Sequence, residues 1–367
     1  MNIPLLDLKA QHATIRPEIL EAVTRVLDGG HYIMGPEVKQ FEEAMARYCG
    51  VKYAIGVANG TDALLLVLDA LGIGPGDEVI TSPFTFFASA EVISQVGARP
   101  VFVDIDPNTY NIDVDQLKKA ITPRTKAIIP VHIFGQPADL DKIMELAKSQ
   151  EIAVIEDACQ AIGATLNENK VGSIGKAGCF SFFPTKNLGG YGDGGIVVTN
   201  DDVLADRIRT LRVHGSKKKY YHDMIGYNSR LDTLQAALLL VKLEKIDDWN
   251  QARREKAQYY SESFSSLPIK TPTVKSGREA VFHLYVIESE ARDDLQLELT
   301  EKGIASGVYY PVPLHLQHVY NDLGYKAGDF PVSEAVSKRV LALPLYPEMT
   351  MDQQDYIIDT IANFCAK

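Results

Sequence analysis

The segment Val154-Ile155-Glu156-Asp157-Ala158-Cys159-Gln160 decides how the chain is interpreted. It is an apolar strand that ends in a carboxylate. A second apolar run, Ser181-Phe182-Phe183-Pro184-Thr185-Lys186-Asn187-Leu188-Gly189, leads to a lysine further along the chain. Short apolar runs bounded by turn residues indicate buried strands. We therefore expect both polar side chains at the carboxyl edge of one sheet, where ligands gather in α/β folds.

The surrounding sequence predicts that sheet. Short apolar runs alternate with helical patterns, which is typical of a mainly parallel sheet with helices on both faces. The predicted strands are Tyr53–Val57, Glu78–Ser82, Pro100–Asp104, Thr125–Ile133, Ile152–Asp157, Gly178–Phe183 and Gly195–Thr199. Helices are predicted at Arg16–Leu27, Glu37–Tyr48, Asp202–Leu211 and, as one long element, Leu231–Phe264. The expected class is therefore α/β, with a seven-stranded sheet.

The last third of the chain has a different pattern. A stretch containing Pro268, Pro272 and Ser276 marks a change in composition, and strand patterns follow on either side of a helical one. The strands are expected at Ala280–Glu288 and Ala305–Tyr310, and the helix at Arg292–Lys302. We expect a large cofactor-binding domain over residues 1–250 and a small α+β domain over residues 251–367.

Composition limits the possible functions. The 367 residues carry a net charge of -11, which argues against nucleic acid or an anionic membrane surface as a general partner. The strongest basic cluster, Lys217-Lys218-Lys219, is either a solvated loop or a surface that attracts a diphosphate. The four cysteines lack metal-type spacing and fit a reducing compartment. With no export signal and no long apolar run, we expect a cytoplasmic protein without a metal site.

Lys186 and Asp157 together indicate pyridoxal 5'-phosphate chemistry. A desolvated lysine amine can form a Schiff base with the cofactor aldehyde, and a carboxylate can keep the pyridine nitrogen protonated. Each residue also has an ordinary interpretation, since most lysines are surface charges and Asp157 could cap a helix. The apolar, glycine-rich context of both residues favours the cofactor.

Further residues complete a predicted cofactor site. The turn Asn59-Gly60-Thr61-Asp62 opens an apolar helix, so the amides of Gly60, Thr61 and Asp62 could bind the phosphate. Three side chains are predicted to add to the site: Ser181 to donate to the phosphate, Phe86 to stack on the ring, and Gln160 to bond to the phenolic oxygen. A helix cap, core packing and a surface glutamine are the simpler alternatives. The glycine run at 189–195 precedes a strand, so it is a turn that passes close to the cofactor rather than a dinucleotide loop.

The motifs closely resemble those of the DegT/StrS family of nucleotide-sugar aminotransferases, which are fold type I pyridoxal-phosphate enzymes similar to aspartate aminotransferase. The resemblance extends over nearly the whole chain. It is carried by Gly60-Thr61-Asp62-Ala63, Gly76-Asp77-Glu78-Val79-Ile80, Pro130-Val131-His132 with Gly135-Gln136, Glu156-Asp157-Ala158, Ser181-Phe182-Phe183-Pro184-Thr185-Lys186, Gly192-Asp193-Gly194-Gly195, Asn228-Ser229-Arg230-Leu231-Asp232, Gln235-Ala236-Ala237 and Tyr310-Pro311-Val312-Pro313-Leu314-His315.

The resemblance implies a homodimer whose active sites are shared between subunits. Asn228 of one subunit would reach the phosphate bound by its partner, and Arg230 would lie near the amino donor or the sugar. The region of Tyr309, Tyr310 and His315 would line the sugar pocket. A surface loop is the simpler interpretation of the Asn228 and Arg230 pair.

The expected reaction moves an amino group from L-glutamate to a ketone on a UDP- or dTDP-linked hexose in polysaccharide or deoxyamino-sugar biosynthesis. The Gly-Asp-Gly-Gly motif at 192–195 resembles that of relatives acting at C3 more than that of relatives acting at C4. A C4 aminotransferase is the alternative, and a uronic acid is a possible substrate. A non-catalytic regulator and another pyridoxal-phosphate reaction are the remaining interpretations, both disfavoured by the motifs present.

Overall fold

The computed structural model describes residues 1–367, and a seven-stranded sheet lies at its centre. The strands are β1 (Tyr53–Val57), β2 (Glu78–Thr81), β3 (Arg99–Phe102), β4 (Thr125–Ile128), β5 (Ala153–Asp157), β6 (Thr165–Leu166), β7 (Asn169–Lys170), β8 (Ala177–Ser181), β9 (Gly195–Thr199), β10 (Ser216–Lys218), β11 (Tyr221–His222), β12 (Arg278–Glu279), β13 (Tyr285–Glu288) and β14 (Val340–Leu343). The central sheet has the order β1-β9-β8-β5-β4-β2-β3. Only β9 runs antiparallel to its neighbours, so the predicted mainly parallel seven-stranded sheet is confirmed.

Helices cover both faces of this sheet, and others pack with β13 and β14 in the C-terminal region. The helices of the chain are α1 (Leu8–Gly29), α2 (Pro36–Cys49), α3 (Gly60–Ala70), α4 (Ala88–Gln95), α5 (Val114–Ala120), α6 (Leu140–Lys148), α7 (Asp202–Leu211), α8 (Thr233–Leu243), α9 (Ile246–Ser263), α10 (Arg292–Glu301), α11 (Pro331–Arg339) and α12 (Met351–Cys365). Short 3-10 turns lie at Ile133–Gly135, Leu314–Leu316 and His318–Leu323. No helix is both long and apolar enough to cross a membrane.

The predicted strand positions agree with the structure to within a few residues, except after β4. That strand ends at Ile128, whereas the apolar run suggested an extension to Ile133. Pro130 follows, and proline cannot donate to a sheet ladder. The chain then makes a single bridge between Val131 and Asp157 before the 3-10 turn begins at Ile133.

The predicted helix Leu231–Phe264 is two helices in the structure. α8 ends at Leu243, and α9 starts at Ile246 with the acidic residues Asp247 and Asp248 in its first turn. Carboxylates at this position favour a helix start because they face the positive end of the helix dipole. The continuous Ala, Leu, Lys and Glu composition concealed this break.

The C-terminal elements differ from the prediction in one pairing. β13 pairs with β14, whereas the predicted strand Ala305–Tyr310 contributes only one bridge, from Gly307 to Ala342. A separate hydrophobic cluster involves side chains from Ala257 to Ile361 together with Ile3. The division at residue 250 stays a prediction, and α9 runs through that position.

Candidate active site

A cavity of about 820 Å³ opens at the carboxyl ends of β1, β5 and β8. It brings together most of the residues that the sequence singled out. Those in its lining are Gly60, Thr61, Phe86, Asp157, Gln160, Ser181, Lys186, Tyr309 and Tyr310. Parallel strands place their carboxyl ends at one edge, so residues distant in sequence meet there. We call the part made by Gly60, Asp157, Ser181 and Lys186 the strand-end face.

Lys186 lies in the loop that follows β8, and its amine faces the cavity. Its backbone amide donates to the carbonyl of Phe183, 2.8 Å away, which fixes the turn. Burial lowers the pKa of the Lys186 amine, while Cys159 and Asp157 oppose that shift. A lysine amine with a lowered pKa is a better nucleophile near neutral pH because more of it is unprotonated.

Asp157 ends β5 and is only 6% exposed. Its Oδ2 accepts a hydrogen bond from Ser89 Oγ at 2.7 Å, and its Oδ1 accepts one from the amide of Cys159 at 3.2 Å. Both donors are neutral, so they orient the carboxylate without neutralising its charge. A buried carboxylate normally needs a cationic partner, and the cavity in front of Asp157 has room for one.

The N-terminus of α3 offers fewer free amides to the predicted anion site than the sequence suggested. Asn59 caps the helix, because its Oδ1 accepts from the Asp62 amide at 2.8 Å. The Asp62 amide is therefore not free, which corrects the predicted set of three donors. The amides of Gly60 and Thr61 remain available. Both residues line the cavity at the N-terminus of α3, where the helix dipole favours an anion.

Gly60 permits a close approach between α3 and two neighbouring strands. A Cβ at this position would lie 2.7 Å from Ser181 Cβ and 2.9 Å from Cys159 Sγ. Gly195, at the start of β9, is as restricted, since its Cβ would meet the carbonyl oxygen of Asn59 at 2.3 Å. The prediction that the glycine run passes close to the cofactor stays a prediction. Gly195 packs against the backbone at the start of α3, and Asp193 of the same run lines the cavity.

Phe86 and Gln160 occupy different environments in the cavity. Phe86 is 59% exposed although it is a large apolar side chain, so one face of its ring is available to a planar ligand. Gln160 is buried, and its Oε1 accepts from the Phe134 amide at 2.9 Å while its Nε2 donates to the Tyr310 hydroxyl at 3.1 Å. One N–H of Gln160 therefore remains for a ligand.

A second side of the cavity comes from the C-terminal third and includes two residues that the sequence analysis missed. We call Arg253, His283, Tyr309 and Tyr310 the C-terminal wall. Burial, with the charges of Lys186 and Arg253, holds the pKa of His283 well below its usual range. The sequence did contain a signal that could have identified Arg253. This residue lies on the buried face of α9, together with Trp249, Asn250, Ala257 and Tyr260. A charged residue within an apolar stripe is unusual.

Three predicted site residues lie outside the lining of this cavity. Asn228 and Arg230 bond to each other on the outside of the chain. His315 is buried against Phe330, with ring centroids 4.6 Å apart, and its Nε2 lies 3.1 Å from Glu334. The position of His315 therefore does not support its predicted contact with a sugar. The predicted basic cluster at 217–219 lies on the exposed hairpin β10–β11, also outside the cavity.

Comparison with known proteins finds similar sequences over nearly the whole chain. The "pleiotropic regulatory protein" of Geobacillus stearothermophilus is 51% identical, with 99% of each chain covered. The UDP-N-acetyl-3-dehydro-alpha-D-glucosamine 3-aminotransferase of Acidithiobacillus ferrooxidans is 47% identical over 96% of this chain and 95% of its own. The profile of the DegT/DnrJ/EryC1/StrS aminotransferase family matches residues 13–362.

Solved structures agree with this relationship. DesV of S. venezuelae has a TM-score of 0.98 at 42% identity, with 100% of this chain and 99% of that chain covered. NtdA of Bacillus subtilis, solved with bound cofactor PMP, has a TM-score of 0.93 at 33% identity, with 100% and 86% covered. The predicted fold and the resemblance are thus confirmed, and the chain belongs to the DegT/DnrJ/EryC1/StrS aminotransferase family.

Proposed function

We propose that this protein is a pyridoxal-phosphate-dependent aminotransferase that moves an amino group from L-glutamate to the C3 ketone of a nucleotide-linked hexose. One observation carries the proposal. A desolvated lysine, Lys186, and a buried carboxylate with only neutral donors, Asp157, face the same cavity. A regulator that did not catalyse would have no need to hold two such groups together, because each is costly to bury.

The residues of the strand-end face fit this cofactor. Because Gly60 has no Cβ, α3 can pack close to Ser181, which brings the Ser181 hydroxyl near two amides of the α3 N-terminus, an arrangement that suits a phosphate. Asp157 would pair with the pyridine nitrogen, Lys186 would hold the cofactor covalently, and Phe86 would cover one face of the ring. Thr61 and Gln160 would add hydrogen bonds to the phosphate and the ring oxygen.

When bound, pyridoxal phosphate supplies a carbonyl that receives the amino group and a ring that accepts electrons from the substrate carbon. The protein would supply proton transfer and orientation. Lys186 Nζ, with its lowered pKa, would take the proton from the donor carbon and return one to the adjacent atom. Asp157, oriented by Ser89 and the Cys159 amide, would hold a positive charge at the far side of the ring.

The sugar and its position are inferred from relatives and from the wall of the cavity. The relative from Acidithiobacillus ferrooxidans is named as a 3-aminotransferase of a UDP-linked sugar, which supports C3 over C4. Tyr309 and Tyr310 line the cavity, and aromatic side chains with a hydroxyl group are common in sugar-binding sites. We also propose a cytoplasmic location, where the four free cysteines would stay reduced.

The experiment that tests this function uses the purified protein loaded with pyridoxal phosphate. We expect L-glutamate to shift the visible absorbance band to that of the amine form of the cofactor and to yield 2-oxoglutarate. A 3-keto nucleotide sugar should then restore the band and give an aminosugar detected by mass spectrometry. An absorbance band that glutamate leaves unchanged would contradict L-glutamate as the amino donor. Restoration of the band only by a 4-keto sugar would contradict C3 as the position that receives the amino group.

We further propose a homodimer in which Asn228 and Arg230 complete the partner's site. Asn228 is exposed and Arg230 is half-buried, and both lie outside the cavity of their own chain, which supports this. The test mixes two inactive variants, Lys186→Ala and Asn228→Ala, under conditions that exchange subunits. One site of each mixed dimer would combine an intact Lys186 with an intact Asn228, so activity should return to about a quarter of the wild-type value. If each subunit works alone, mixing restores nothing.

A further inference from the structure

Arg253 is a buried cation without an ionic partner. It is only 2% exposed, and burial lowers the pKa of its guanidinium to about 10. Its Nη1 donates to two neutral acceptors, the carbonyl oxygens of Leu345 at 2.8 Å and Phe282 at 3.3 Å. Its Nε, fully buried, has no hydrogen-bond partner. Burying a guanidinium without an ionic partner and with an unpaired Nε costs free energy, so Arg253 lowers the stability of the fold.

The surroundings of Arg253 do not neutralise it. Glu348 acts on it only through space, and the Oε2 of Glu348 has no hydrogen-bond partner of its own. The neighbouring wall residue His283 also has an unpartnered buried nitrogen, Nδ1, and the charges of both Lys186 and Arg253 act on it. The C-terminal wall thus contains two buried groups with unused hydrogen-bonding capacity, Arg253 and His283, and His283 is close enough to Lys186 for its charge to act on it.

The chemistry of this group selects the ligand. A guanidinium binds a carboxylate through two parallel hydrogen bonds, which gives both orientation and strength. Arg253 and Lys186 are the only arginine or lysine side chains in the cavity lining, and the proposed function assigns Lys186 to the cofactor. The hydrogen bonds of Arg253 go to the carbonyl oxygens of Phe282 and Leu345, and none goes to a residue of α3, where the phosphate is expected.

We propose that Arg253, with His283 beside it, is the site in this cavity that binds a substrate carboxylate. This inference rests on the proposed function and deepens it. The carboxylate belongs either to the amino donor or to a uronic acid on the sugar, and the donor is favoured because it must place its amino-bearing carbon beside Lys186. Arg230, assigned to this role from the sequence, bonds instead to Asn228 outside the cavity of its own chain.

The test compares Arg253→Met with Arg254→Met in the cofactor-loaded protein. Arg254 is the adjacent residue on α9, but it pairs with Glu279 at 2.7 Å and does not line the cavity. For Arg253→Met we expect the KM for L-glutamate to rise about 30-fold or more, with the KM for a neutral keto sugar within about threefold of wild type. Arg254→Met should change neither value. A rise only in the KM for a keto sugar bearing a carboxylate would assign the site to the sugar.

Two further measurements separate a binding role from a structural one. Arg253→Lys keeps the charge but lacks the planar fork, so it should give an intermediate KM for glutamate if Arg253→Met does not fold. Calorimetry with glutarate, a dicarboxylate that cannot react, should show binding to wild type and to Arg254→Met, and at least tenfold weaker binding to both Arg253 variants. Because glutarate binding needs no turnover, it tests Arg253 even if the proposed transamination fails. Equal glutarate affinity in all variants, or equal losses for glutamate and both sugars, would overturn the proposal.

Discussion

The strand-end face and the C-terminal wall enclose the same cavity but are built in different ways. The face uses backbone features, namely strand ends, a helix N-terminus and a glycine that admits close packing. The wall uses long side chains delivered by α9, by the segment before β13 and by the segment after α10. Backbone features hold a common cofactor in a fixed place, whereas side chains can be exchanged without altering the sheet. We therefore expect substitutions in the face to affect chemistry and substitutions in the wall to affect substrate choice.

The largest loss of turnover is expected for Lys186→Ala. Removing the amine that we propose holds the cofactor and carries the proton should lower kcat by about 10³-fold or more. Lys242→Met is the matched control, since Lys242 is also a buried lysine, with its pKa lowered to about 8, but bonds to Gln11 and to the Gly189 carbonyl outside the cavity. The control should lose stability while its turnover per folded molecule stays near wild type, as measured by single-turnover kinetics beside circular dichroism.

Asp157→Asn should have the next largest effect. The amide keeps the shape of the side chain but cannot stabilise a positive charge, so kcat should fall by about 100-fold. Ser89→Ala removes one hydrogen bond that orients Asp157, and its loss should be about tenfold or less. Comparable losses in the two variants would mean that the orientation of the carboxylate, rather than its charge, is what the reaction requires.

Gly60→Ala tests whether the face depends on close packing. The added Cβ would lie 2.7 Å from Ser181 Cβ, so we expect a loss of about 1–3 kcal/mol in stability together with weaker cofactor binding. Gly29→Ala, near the end of α1, has nothing within 4 Å of its new Cβ and should be neutral or slightly stabilising. Thermal unfolding and titration with pyridoxal phosphate measure both effects. Unchanged cofactor affinity in Gly60→Ala would show that this helix end does not carry the phosphate.

The face could be predicted from the sequence because its signals are local. Asp157 and Lys186 each follow an apolar run, and strand ends meet at one edge of a parallel sheet. The Asp62 amide was assigned incorrectly, although Asn59 three residues earlier is a standard cap that consumes it. The family resemblance added Asn228 and Arg230, which no local pattern singles out.

The wall could be predicted only in part, because its residues are brought together by tertiary packing. Tyr309 and Tyr310 came from the resemblance, and the same resemblance suggested His315, which the chain turns inward against Phe330. Arg253 and His283 lie on elements whose packing depends on where α9 begins and on the pairing of β13 with β14. Neither the helix break nor that pairing was predicted. The charge of Arg253 within its apolar stripe was the only local signal.

The smallest effect on catalysis, and a distinct effect on stability, is expected at Glu288, which ends β13, the strand that follows His283 of the wall. Its Oε1 accepts from Tyr110 at 2.8 Å and Lys270 at 2.7 Å, and its Oε2 accepts from Arg339 at 2.8 Å. Burial raises the pKa of Glu288, but these hydrogen bonds outweigh burial, and the net pKa lies below its usual value of 4.5.

A carboxylate with a lowered folded-state pKa contributes stability that is present above its unfolded pKa and is lost as the pH falls through the folded value. Wild-type stability should therefore decline below about pH 4.5, and hydrogen exchange should show β13 and β14 opening before β5 and β8. Glu288→Gln should lose about 3 kcal/mol at pH 7, depend less on pH in the acid range, and keep its kcat while folded. Simultaneous opening of all four strands would mean that the strand-end face and the C-terminal wall unfold as one unit. The two parts could then not be treated as structurally independent.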